Sequence, residues 1–165
     1  MPSVLSVAET PFTARTALGR WWQRWHPDSV GSFLDWAVDG VPLLDRLAEP
    51  IRRASLTSSW MTTLAPNHPD ALDQLSQLLD NTESTFDDGR VALYVCPQCS
   101  DRWWGTISTE VVFTDTLVQW RAFGSQGPRR RPELFEPSVD FTFGRAQYED
   151  VVVGLRPRFT RHRAG

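Results

Sequence analysis

Lysine is absent: all 17 basic residues of the chain are arginine. Its cations are therefore planar, bidentate donors rather than point charges. Cysteine is scarce, at 2 in 165 residues, so no disulfide framework holds the fold, and in a reducing compartment both thiols stay reduced. No apolar run reaches the roughly 18 residues that a membrane-crossing helix needs. The opening "MPSVLSVAETPF" lacks a basic region followed by an apolar block, so no secretion signal is read there and the cytoplasm is the default expectation. Internal repeats and low-complexity segments are missing. So are a glycine-rich phosphate loop, a G-x-S-x-G elbow and an H-E-x-x-H pair. "DDGR" and "GSQG" have neither the spacing nor the following helix that a phosphate cradle requires.

What is present fits one soluble domain, large enough to bury a core of its own. The chain is 41% hydrophobic and 22% charged, with eight tryptophans whose ordinary place is the interior. Charge is uneven. Residues 28–101 hold twelve acids against four arginines, whereas the closing "LRPRFTRHRAG" carries four arginines and no acid. An acidic middle repels phosphate backbones and attracts a basic partner. A short basic end reads as a solvated tail over 156–165.

Periodicity gives a coarse order of elements. "SVLSV" reads as a first strand. A helix is expected from Thr10 as N-cap and Pro11 in the first turn to Pro27 as the stop, with Leu18, Trp21, Trp22 and Trp25 on one face. "SFLDWAVDGVPLL" reads as a strand, an Asp39-Gly40 turn, and a short second strand or helical turn. Residues 50–67 have no clear period. "HPDALDQLSQLLD" reads as a helix with Leu72, Leu75, Leu78 and Leu79 on one side, and "NTESTFDDGR" as a polar loop. "RVALYV" alternates as a strand. "TISTEVVFTDTLVQWRAF" reads as a hairpin turning near Thr114-Asp115, with Ile107, Val111, Phe113, Val118 and Trp120 inward. Glu110 and Arg121 then face outward and can pair across the strands. "DFTF" can add a strand. "GRAQYEDVVVGLRP" reads as a helix burying Tyr148, Val151, Val152 and Leu155 and stopping ahead of Pro157. The fold class is α+β: an antiparallel sheet with helices packed on one face, in a single domain over 1–165.

The stretch "YVCPQCSDRWWGT" poses the chemical question. Cys96 and Cys99 supply one pair at zinc-knuckle spacing, yet a structural site wants four ligands. His26, His68 and His162 are scattered, and read as surface residues. A redox pair needs a thiol at a helix N-terminus, but here the sequence runs on into a strand. Metal and thiol roles stay as alternatives. The main reading is an inert turn in which Pro97 fixes φ and Ser100-Asp101 supply local hydrogen bonds. No metal or other cofactor is expected.

The run "RVALYVCPQCSDRWWGTISTEVVFTDTLVQWRAF", with "FTFGRAQYEDVV" after it, resembles a group of small, uncharacterised actinobacterial proteins. That group reads CPxCGDxxCGA at the turn, then V-x-W-x-x-F and F-x-F-D-x-x-x-Y, and is often labelled oxidoreductase. The resemblance covers about the last 60 residues and implies the same fold. Three departures bear on the label. Ser100 stands in the glycine place, Trp104 in the further cysteine place, and Gly144 where an acid would precede the last helix. The lost third sulfur argues against carrying over a redox or metal role.

Other chemistry fares no better. Asp87-Asp88 and Glu149-Asp150 are adjacent acids, whose side chains diverge and read as solvated charge. Arg129–Arg131 can grip phosphates, which leaves nucleic-acid binding as a further alternative that the net charge of −3 disfavours. In "DRWWG", Trp103 and Trp104 must point to opposite faces of a strand, so one of them needs a second layer or a partner. The expectation is a non-enzymatic binding protein, most concretely a toxin-neutralising immunity protein. Its partner surface would hold Asp87, Asp88, Asp101, Arg102, Trp103 and Trp104, and its partner would be a basic toxin domain, with no membrane involved.

Overall fold

The computed structural model describes residues 1–11, 32–56, 60–66, 68–80, 82–84, 86–96, 105–127 and 129–160. The helix expected over 10–27 lies almost wholly outside these residues. Its first two positions do not: Thr10 and Pro11 belong to a strand, β1 (Leu5–Pro11), and pair with Phe33 and Ser32. Thr10 is therefore no helix N-cap. β-Branched threonine suits the pleat, and Pro11 stands at the strand's last position, where a ladder donor is dispensable.

β1 runs antiparallel to β2 (Ser32–Val38), from Leu5 opposite Val38 to Pro11 opposite Ser32. Asp39 and Gly40 both take positive φ, 52° and 79°, which is the tight-turn geometry that Asp-Gly favours. The chain returns as the two-residue β3 (Val41–Pro42) and enters α1 (Leu43–Arg53). Both readings of "VPLL", strand and helical turn, are thus realised in succession. Leu43, Leu47 and Ile51, spaced by four, turn inward as one helix stripe.

The second sheet holds β4 (Val91–Val95), β5 (Thr106–Phe113), β6 (Leu117–Gln126), β7 (Glu133–Leu134) and β8 (Phe141–Gly144). The expected hairpin turns at 114–116, where Thr114 N–H donates to Leu117 O at 2.9 Å. β7 and β8 share the far edge of β6: β7 pairs with Gly124 and Ser125, β8 with Leu117–Trp120. All five residues of β4 are buried, so its alternation does not mark a solvent face.

Among the described residues, two short backbone links join the sheets. Ser3 bridges Phe143 of β8, and its N–H donates to Thr142 O at 2.7 Å. On the other side, Leu34 N–H donates to Leu64 O at 2.9 Å, while Met61 and Val95 exchange two backbone bonds at 3.2 and 2.8 Å. Backbone pairing can therefore be followed from β1 through β2, residues 61–64, β4, β5, β6 and β8 back to Ser3. Trp36 from the first sheet meets Trp120 from the second edge-on, 5.7 Å between ring centroids, so the core lies between the sheets.

Among the described residues, two further helices join the α+β fold. α2 (Ala71–Leu78) buries Leu75 and Leu78; Leu72 and Leu79 are only half-buried. α3 (Arg145–Thr160) buries Tyr148, Val152 and Leu155. It does not stop ahead of Pro157 but runs through it to Thr160. The last turn is anchored by side chains: Phe159 packs on the core, and Arg156 Nη1 donates to Ser76 Oγ at 3.2 Å. Residues 156–160 are thus helix rather than tail, and 161–165 lie outside the described residues.

Candidate interaction site on the acidic face

From residue 70 to residue 89 the sequence holds six acids and no arginine. The fold gathers four of them on one loop. Asp80 takes φ 57° just past α2, a left-handed conformation that aspartate tolerates. Glu83 follows, then Asp87 and Asp88 ahead of β4. The loop is fixed from within. Ser84 Oγ accepts from Phe86 N–H at 3.1 Å and donates to Arg90 O. Gly89, at φ 78°, donates to Phe86 O at 3.1 Å, and Phe86 is buried. Between the end of α2 and this loop lies a groove of about 450 Å³, with Asp80, Glu83 and Ser84 on its wall.

The nearest arginine in sequence interacts with the charge of Asp88 but forms an ion pair with none of the four acids. Arg90 is only 6% exposed and its guanidinium points inward. Nε donates to Ser108 Oγ at 3.0 Å, and Nη2 to Ser108 O at 3.0 Å and to Ala122 O. A β-bulge prepares those acceptors. Ser108 pairs with Gly124 and Glu110 with Arg121, so Ala122 and Phe123 face the single residue Thr109, with Ala122 at φ 52°. Burial lowers the pKa of Arg90, though far too little to discharge a guanidinium. Among the described residues, Asp80, Glu83, Asp87 and Asp88 have no cationic side chain within ion-pair distance.

Of the residues expected at the partner surface, Asp87 and Asp88 are described and both are exposed. Asp88 also serves the fold: Oδ1 accepts from Arg90 N–H at 3.2 Å and Oδ2 from Gln126 Nε2 at 2.9 Å. Asp101, Arg102, Trp103 and Trp104 lie outside the described residues, as do Cys99, His26 and His162. Cys96 is half-buried just past β4. Among the described residues no group of three or more His, Cys, Asp or Glu side chains could hold a metal ion. His68 is not a surface residue. It is 6% exposed, and its Nδ1 accepts from Asp70 N–H at 3.1 Å. Arg129, Arg130 and Arg131 are exposed; Gln126 Nε2, which bonds Asp88, also donates to Arg130 O at 3.4 Å, so the basic loop abuts the acidic one.

One buried acid escaped the sequence reading. Asp35, 1% exposed in the middle of β2, accepts a 2.5 Å hydrogen bond from Tyr94 Oη of β4. Burial raises its carboxyl to about 6, against the opposing pull of the Tyr94 hydroxyl and of the Leu44 and Trp36 backbone N–H groups. Burial also pushes the Tyr94 phenol well above its ordinary range. The available signal was an acid inside the otherwise apolar run "FLDWAV".

Comparison of the chain with protein-family models, curated proteins and solved structures finds no match. Among the described residues, no helix is long and apolar enough to cross a membrane.

Proposed function

We propose that the protein is a non-enzymatic binding module whose acidic loop takes a basic partner domain, as an immunity protein takes the catalytic cleft of a nuclease or nucleotide-consuming toxin. The observation that carries this reading is the inward turn of Arg90, which leaves Asp80, Glu83 and Asp87 without an ion-pair partner among the described residues, with Asp80 and Glu83 on the wall of a groove. Acids placed this way raise the local concentration of a cationic partner and speed its docking, with a strong dependence on salt.

The test first asks whether a toxin domain is encoded beside the gene for this chain, and then measures whether that domain binds the protein. Glu83→Lys with Asp87→Lys is the informative variant, since neither side chain makes a hydrogen bond that holds the loop, whereas Asp88 does. Association measured by stopped flow is expected to slow by about tenfold or more at low salt, with the difference shrinking as salt rises. Rates indifferent to both substitutions and to salt, or no complex at all, defeat the proposal.

A further inference from the structure

Asp35 sits where the two sheets meet, and the surrounding links converge on it. Leu34, one residue before it, donates its N–H to Leu64 O and accepts from Thr62 Oγ1 at 2.7 Å. Trp36, one residue after it, donates from Nε1 to Gln74 Oε1 at 3.3 Å, and Gln74 in turn donates to Ala92 O and Leu93 O of β4. Asp35 itself reaches Tyr94 directly. The seam between β2 and β4 is thus stitched by neutral hydrogen bonds around one ionisable group.

Its charged surroundings are sparse. β4 contributes Tyr94 and α1 contributes Asp45, whose negative charge opposes ionisation. β1 places Ala8 opposite Asp35, and residues 61–64 bring only neutral side chains. Among the described residues no cation pairs with the carboxyl. An ionised Asp35 is therefore a buried charge held by one phenol and two backbone N–H groups, with no counter-ion.

We propose that the buried Asp35 carboxyl makes the joint between the two sheets proton-dependent: the seam is tighter while the carboxyl is neutral and looser once it carries a buried charge, which the Tyr94 hydrogen bond only partly offsets. The sign follows from linkage. The unfolded chain ionises Asp35 near its ordinary 3.8 and the folded chain near about 6. Between these values only the folded state keeps the proton, so raising the pH through the window weakens folding, and above it the loss is complete. The inference is independent of the acidic-face reading.

The experiment follows hydrogen exchange at the seam amides of Leu34, Met61 and Val95 from pH 4.5 to 7.5, corrected for intrinsic exchange, with the Phe135 N–H, which donates to Phe123 O of β6, as the remote reference. In the wild type, seam protection is expected to fall by up to about thirtyfold across that range while the reference changes less. Asp35→Asn is expected to flatten the seam profile. Tyr94→Phe removes the hydroxyl that favours the charged form, so the midpoint moves to higher pH; this variant decides the matter if Asp35→Asn does not fold. Equal loss at Phe135 and the seam, a wild-type profile retained in Asp35→Asn, or an unmoved midpoint in Tyr94→Phe overturns the proposal.

Discussion

Arg90 shows how far one side chain can differ from what its neighbours in sequence suggest. In "DDGRV" it reads as the cation that balances two acids, yet its guanidinium serves three oxygens of β5 and β6. That arrangement depends on the bulge at Thr109 and Ala122, which strand alternation alone does not announce. Arg90→Met is expected to destabilise the protein by about 3 kcal/mol, because buried acceptors lose a charged donor. Arg90→Lys restores little, since one ammonium cannot match a planar fork. Urea unfolding midpoints check both. By contrast, the Glu110–Arg121 pair was legible: both sit on the outward face of a hairpin, and they meet at 2.8 Å. Position along a strand is written in local sequence. Whether a polar residue ends buried, as Asp35, His68 and Arg90 do, depends on what arrives from elsewhere in the chain.

Elements follow the same division. The 106–126 hairpin and the helix over 71–78 came from periodicity, because each carries its inward stripe within a few residues, and the strand at 91–95 from a short apolar run that is buried on both faces. α1 gave little warning: Pro42 precedes it, Pro50 lies inside it, and three aliphatic positions carry its whole stripe. α3 was expected to end at proline, but Phe159 and Arg156 hold its last turn through partners distant in sequence. Nothing in "EL" predicts β7 either. Its place is set by Gly124, where an added Cβ would lie 2.5 Å from Glu133 O. Such a contact cannot be relieved by rotamer change, since the position of a Cβ is fixed by its own backbone and Glu133 O is a backbone atom. Gly124→Ala is expected to push β7 off β6 at a cost of about 1–3 kcal/mol. The local reading is exchange at Phe135, whose N–H donates to Phe123 O at 2.8 Å just past the displaced strand. Unchanged protection there shows that β7 tolerates the methyl group.

At the scale of the whole molecule, the strand order was beyond reach because the joints between sheets are single bridges rather than ladders. Met61 bridges Val95 from a segment without periodicity, and Ser3 bridges Phe143 from the first few residues. These joints let β2 and β6 face each other with Trp36 against Trp120, so a small number of backbone bonds sets the register of the entire core. The N-terminal joint is the more easily tested. Val4 N–H donates to Asp39 Oδ1 at 2.7 Å, Asp39 N–H returns the bond to Val4 O at 2.9 Å, and Ser3 N–H reaches Thr142 O. Pro2 and Val4 are exposed and bury little apolar surface, so a view based on burial alone predicts that they are dispensable. The pairing view predicts otherwise. Deleting Pro2–Val4 removes three bonds that tie β1 to the Asp39 turn and to β8, and is expected to cost about 1–3 kcal/mol. The loss should appear as a lower denaturant midpoint at an unchanged slope, since the surface exposed on unfolding hardly changes. A midpoint equal to that of the full chain would mean that β1 and β8 keep their register without the bridge, and that the circuit of strands is held from the 61–64 side alone.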